Sequence, residues 1–151
     1  MELLTLFQRR NRVVMVQPWG LVVPQSLIRV VLGALLINHG VGKVFNGTGK
    51  LGSHLAELGW PLPHAQAFLA GYTEFLGGVL LIVGLFTRLS AALNVGLFTI
   101  IVFVYHYADA FADKEAGLLF LLLSLTVLFM GPGKISVDNF VFTKNEAPVR
   151  G

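Results

Sequence analysis

Four long apolar runs, nearly free of charge and separated by more polar stretches, leave this chain few folds to adopt. They extend from about Val23 to Val44, Ala65 to Phe86, Leu89 to Ala108 and Ala116 to Gly131. A helix needs about 20 residues to cross about 30 Å of hydrocarbon, and each run is close to that length. The last is the shortest, with a start at Ala116 or as early as Asp113, and Gly131-Pro132-Gly133 ends it. The third and fourth runs are apolar all round, so as soluble helices they would have no polar face for water. Composition agrees: charged residues make up 13% of the chain, against about 25% in soluble domains. The expected fold is all-α, an integral membrane four-helix bundle.

Other segments fill in the plan. Between the first two runs lies a turn-rich stretch, Phe45 to His64, in which Leu51, Leu55 and Leu58 recur at helical spacing beside Trp60. That pattern predicts a short extracytoplasmic helix at the membrane interface, with Trp60 in the aromatic belt. Residues 1–22 read as an N-terminal interfacial or cytoplasmic segment, with Leu3, Leu4 and Phe7 on one face and Arg9, Arg10 and Arg12 at the headgroups. They carry no cleavage site of signal-peptide type. Residues 23–133 form the transmembrane domain, with Pro24 expected in its first helical turn. Residues 134–151 read as a polar cytoplasmic tail.

Orientation follows from lysine and arginine. With the N-terminus inside, the inner side holds Arg9, Arg10, Arg12, Arg88, Lys134, Lys144 and Arg150, and the outer side Lys43, Lys50 and Lys114. The split is seven to three, with Arg29 left inside the first helix. The chain is therefore expected to be multi-pass with both termini cytoplasmic. The net charge of +3 sits mostly at the ends of apolar runs, with no basic stripe of interleaved aromatics, so nucleic acid is not an expected partner. The chain has no cysteine, which excludes disulfides, thiolate zinc sites and iron–sulfur ligation by its own residues.

Polar groups in the bilayer are costly, about 2.5–3.5 kcal/mol for a central charge, and each needs a reason. Glu74 falls about nine residues into the second helix, roughly 13 Å deep, on a face shared with Gly77 and Gly78. It is either a packing acid paired with Arg29 or Lys43, or a proton-carrying or ligand-binding acid. Arg29 and Lys43 share a broad face of the first helix, with His39 at its edge, and Arg29 is expected to snorkel inward. Asn38 points away from that face and could bond a neighbouring helix. His106 ends the third helix between Tyr105 and Tyr107, with Asp109 and Asp113 beyond. Glu115 is expected to open the fourth helix, where the dipole favours an acid. The topology puts His39, Lys43, Glu74, His106, Asp109 and Glu115 in the outer half, as in small-molecule, quinone or proton sites of bundles. Their spacing matches no metal motif, so no metal is assigned.

At these residues the chain resembles the DoxX family of small bacterial membrane proteins. The likeness rests on Arg29-x-x-x-Gly33 with His39-Gly40-x-x-Lys43-x-Phe45, on Glu74-Phe75-x-Gly77-Gly78 leading to Gly84-Leu85-x-Thr87-Arg88, on His106, and on Gly131-Pro132-Gly133-x-x-Ser136-x-Asp138. The resemblance implies a four-helix membrane protein. Some relatives look like subunits of thiosulfate:quinone oxidoreductases, and others associate with redox-stress systems. It carries across to Arg29, His39, Lys43 and Glu74 as matching positions.

The resemblance thus implies a subunit or accessory of a membrane redox, quinone-linked system in a bacterial inner membrane. Its ligand-binding candidates are Arg29, His39, Lys43, Glu74, His106 and Glu115, with Glu74, His39 and His106 as candidate catalytic groups. No intrinsic cofactor is expected, and a quinone is the candidate ligand. Expected partners are the bilayer and other membrane subunits or further copies of the chain. The alternative is a structural or assembly subunit without its own chemistry. A transporter or channel component would need oligomerisation, because no internal repeat is visible.

Overall fold

The computed structural model describes residues 18–142. The elements are α1 (Pro18–Phe45), α2 (Gly49–Glu57), α3 (Pro63–Val83), α4 (Thr87–Ile100), which runs on into a π-helical turn (Ile101–Tyr105), α5 (Phe111–Met130) and α6 (Val137–Phe142). Among the described residues there is no strand, so the chain is all-α. The four long helices close a ring: α1 packs on α3, α3 on α4, α4 on α5, and α5 returns to α1. Helices joined by short turns are antiparallel neighbours, which leaves the bundle two ends. The long-loop end carries residues 46–62 and 106–110, and the short-turn end carries 84–86 and 131–136.

The packing is that of a lipid-solvated protein. A narrow core holds Leu32, Leu36, Leu81, Ala91, Phe98 and Val127. Leu35, Leu69, Leu76, Leu93 and Leu122 point outward and are exposed. Three helical segments, Val22–Phe45, Pro63–Val83 and Thr87–Tyr105, are long and apolar enough to cross a membrane. In α5 the charged residues Asp113, Lys114 and Glu115 occupy the start of the helix, and residues 116–130 carry none. That uncharged part is about 22 Å long and the whole helix about 30 Å.

Lipid tails are as apolar as leucine, so contact between spans relies on close approach of small residues. Gly33 and Gly40 on α1 meet Gly78 and Phe75 on α3 so closely that a Cβ at Gly33 would lie 2.6 Å from the Gly78 carbonyl oxygen. A Cβ at Gly40 would lie 2.6 Å from the Phe75 nitrogen. Both glycine pairs, Gly33/Gly40 and Gly71/Gly78, repeat at heptad spacing. They thus keep to one face of each helix along the seam.

Several boundaries differ from the sequence expectation. Helix α1 begins at Pro18, so Pro24 lies inside it. Helix α5 begins at Phe111, so Glu115 sits after the helix start. Asn38 is exposed and turned away from the bundle. The expected polar tail folds in part: α6 returns Asp138 to the start of α4. The expected interfacial helix at Leu3, Leu4 and Phe7 lies outside the described residues.

Candidate functional site

Glu74 and Lys43 form the central ionic contact. Glu74 sits mid-way along α3 and its side chain is 2% exposed, while that of Lys43, in the last turn of α1, is 31% exposed. Lys43 Nζ donates to both carboxylate oxygens, Oε1 and Oε2, at 2.6 Å. Gly71, one turn before Glu74, makes room for this geometry, since a Cβ there would meet Lys43 Cβ at 3.0 Å. Of the two cations the sequence offered as partners of Glu74, the nearer in register takes the role.

A second polar group lies at the long-loop end. The π-helical turn carries one extra residue per turn, and His106 N bonds back to Ile101 O at 3.0 Å. This turn places Tyr105 between neighbours, with ring centroids 6.0 Å from Trp60, 6.2 Å from His54 and 4.6 Å from His106. His106 Nδ1 donates to Asp109 Oδ2 at 2.7 Å. With Nδ1 occupied as a donor, neutral His106 offers Nε2 as an acceptor.

The other candidates are dispersed. His39 is exposed and packs edge-on against Phe120 at 5.0 Å, not against Glu74. Glu115 is exposed. Arg29 lies at the opposite end and does not snorkel. It is 2% exposed, with Nη1 donating to Leu81 O at 2.9 Å and Nη2 to Ile135 O at 2.5 Å. A cation there meets the negative, carbonyl-bearing end of α3. Of the six ligand-binding candidates, the structure therefore joins Lys43 to Glu74 and keeps His106 at the same end. Arg29 belongs to a different assembly.

That assembly is a clamp at the short-turn end, and no residue of the clamp other than Arg29 stood among the sequence candidates. Asp138 accepts from Phe86 N and Thr87 N, both at 2.8 Å, and its own N donates to Gly84 O at 2.9 Å. Phe86 takes φ +49°, a left-handed conformation costly for a bulky side chain, and the two Asp138 bonds hold it there. Gln25 Nε2 donates to Met130 O at 2.7 Å, tying α1 to the end of α5. An open depression of about 400 Å³ lies here, among Phe86, Thr87, Arg88, Pro132 and Asp138. It is at the far end from Lys43 and Glu74, so it is no cavity for their chemistry. Apart from His106, the quoted motifs fall into these two places. The segments containing Gly84, Thr87, Arg88, Gly131, Ser136 and Asp138 build the clamp, while those containing Gly40, Lys43 and Glu74 build the ionic contact.

Among the described residues no group of three or more histidines, aspartates or glutamates is placed to hold a metal ion.

Comparisons with known proteins bear on the whole assembly. A Bacillus subtilis (strain 168) protein named "Putative oxidoreductase CatD" is 32% identical over 117 residues, covering 77% of this chain and 85% of that protein. A protein of Haemophilus influenzae (strain ATCC 51907 / DSM 11121 / KW20 / Rd), named "Uncharacterized protein", is 29% identical over 126 residues, covering 79% of this chain and 91% of its own. No solved structure matches the chain. The DoxX family model matches residues 25–107, which contain α1 from Gln25, the seam of glycines, Lys43, Glu74 and His106. This membrane protein belongs to the DoxX family.

Proposed function

We propose that the protein serves a membrane redox system and binds a quinone or similar lipophilic carbonyl compound beside Lys43. The observation that carries this reading is the geometry of Lys43. An ammonium group has three N–H donors. Two meet Glu74, and the side chain remains 31% exposed, so the third is available to a carbonyl oxygen at the long-loop end. Glu74 would hold the ammonium in place, and His106, oriented by Asp109, would exchange protons with water at that end. Reduction of a quinone takes up two electrons and two protons. The electrons would come from a partner subunit or a bound reductant, because the chain has no cysteine and so no thiol couple of its own. The name of the Bacillus subtilis relative supports a redox role, and the quinone itself is the reading of the site's chemistry.

The test is binding of a photoactivatable ubiquinone analogue to the protein in nanodiscs. A hydrogen bond from a charged donor contributes about 1.5–3 kcal/mol, so Lys43→Met should weaken binding about tenfold or more. His39→Ala, on a different seam, should leave it unchanged. Equal binding by Lys43→Met would sink the quinone site. The structural-subunit reading would then gain, and one observation favours it: both oxygens of Glu74 are already satisfied by Lys43. On that reading, loss of Lys43 or Glu74 would reduce assembly with partner subunits and leave no ligand effect.

A further inference from the structure

The bundle interior contains polar atoms that neither Lys43 nor the short-turn clamp uses. On α4, Thr87, Ser90 and Asn94 lie on one face and are at most 2% exposed. Ser124 on α5 is fully buried. Asn94 Nδ2 donates to Ser90 O at 2.9 Å, which leaves its Oδ1 without a partner. Ser124 Oγ and Thr87 Oγ1 also lack partners.

The packing register places Asn94 and Ser124 at one level. Phe98 stacks on Phe120 at 4.8 Å, Val102 meets Gly117, and Arg88 meets Gly131, so α4 and α5 run past each other in a single antiparallel register. One turn from the stacked rings, that register brings Asn94 opposite Ser124. Helix α3 joins them through Gly77, where a Cβ would stand 2.7 Å from Asn94 Nδ2. Gly77 is one turn from Glu74.

An amide oxygen and a hydroxyl are complementary partners, yet these two make no direct bond. Buried polar atoms left in this way are normally bridged by ordered water. Thr87 extends the polar line about 10 Å from Asn94 toward the short-turn end.

We propose that Asn94 and Ser124 bind buried water at mid-depth, the inner part of a hydrated inlet that runs from Thr87 to the level of Gly77. The ligand is water. The inlet ends one helical turn short of Glu74, on the side opposite the exposed part of Lys43. It does not depend on what binds at Lys43.

The chain has no cysteine, so a single introduced thiol reports its own surroundings. Thiosulfonates react with the thiolate, which forms only where water reaches. In the full chain in proteoliposomes, Ser124→Cys and Thr87→Cys should react with a small cationic methanethiosulfonate. Leu93→Cys, beside Asn94 in sequence but facing outward, and Leu32→Cys, in the apolar core, should react at least tenfold more slowly than Ser124→Cys. A Ser124→Cys rate as slow as those two controls overturns the proposal. A second readout uses the smaller variant Ser124→Ala, measured by Tm in detergent. If the hydroxyl holds water, Tm falls, and if it is a dry orphan, Tm stays or rises, which also overturns the proposal.

Discussion

The Lys43–Glu74 contact is asymmetric, and its asymmetry can be measured. Glu74 is buried while Lys43 is about a third exposed. Removing one partner of a buried ion pair costs about 3–5 kcal/mol, because the other charge stays buried and uncompensated. Lys43→Met strands the buried carboxylate, so a loss near the lower end, about 3 kcal/mol, is expected. Glu74→Gln strands an ammonium that still reaches solvent, and the loss should be smaller. Thermal unfolding of the two variants in one detergent checks the order, and the reverse order would mean that Lys43 is the desolvated partner. A second residue-scale prediction concerns Gly84, at φ +74° and directly against the Arg29 guanidinium. Gly84→Ala should cost about 1–3 kcal/mol from backbone strain alone, before the displacement of Arg29 is counted. A Tm within a degree of the parent would show that the clamp is plastic. The identity of Glu74 as a residue needing a partner was legible, since it interrupts an apolar run and shares a face with glycines. Which cation it takes was not, because Arg29 and Lys43 lie on the same broad face of α1. The role of Arg29 could not be read locally either: its acceptors, Leu81 O and Ile135 O, are 52 and 106 residues away in sequence.

At the scale of elements, hydrophobic runs announce helices, but they do not give the distance at which helices meet. That distance is set at the α1–α3 seam by glycine backbones, where Gly33 and Gly78 face each other. Gly78→Ala puts a methyl group 2.6 Å from the Gly33 carbonyl oxygen, and backbone cannot rotate away as a side chain can. The two helices must separate, which also stretches the Lys43–Glu74 contact. Gly96 provides the contrast, because it is exposed on α4 with nothing near its missing Cβ. Alanine is favoured over glycine in a helix by about 1 kcal/mol, so Gly96→Ala should be neutral or stabilising. Chemical or thermal unfolding of the two variants separates packing from propensity: a Gly78→Ala protein as stable as Gly96→Ala would refute the close seam. Two further features of the elements were hidden in the sequence. The π-helical turn at Ile101–Tyr105 follows from a backbone bond pattern, and its residues are as apolar as those before it. Helix α6 looks like polar tail until Asp138 is seen to cap a turn 52 residues earlier.

For the whole molecule, the packing argues that all four long helices cross the bilayer. α1, α3 and the α4 segment through Tyr105 qualify by length and apolarity. α5 carries three charged residues near its start, and only residues 116–130 are uncharged. Two arguments favour a fourth crossing. α5 packs antiparallel along α4 from the long-loop end to the short-turn end, with Phe120 on Phe98 and Gly131 against Arg88. A helix so aligned beside a membrane span must traverse the same depth. Its charged residues also fall at the long-loop end, where lysine and acids can reach headgroups. Four crossings put Ser53 and Lys134 on opposite sides of the membrane, and the lysine and arginine asymmetry predicts that Lys134 is inside. In a chain without native cysteine, Ser53→Cys and Lys134→Cys each give one exposed thiol. In right-side-out vesicles, an impermeant maleimide should label Ser53→Cys before lysis and Lys134→Cys only after it. Labelling of both before lysis would mean that α5 fails to cross. Labelling in the reverse order would keep four crossings but invert the bundle, placing Lys43 and His106 on the cytoplasmic side.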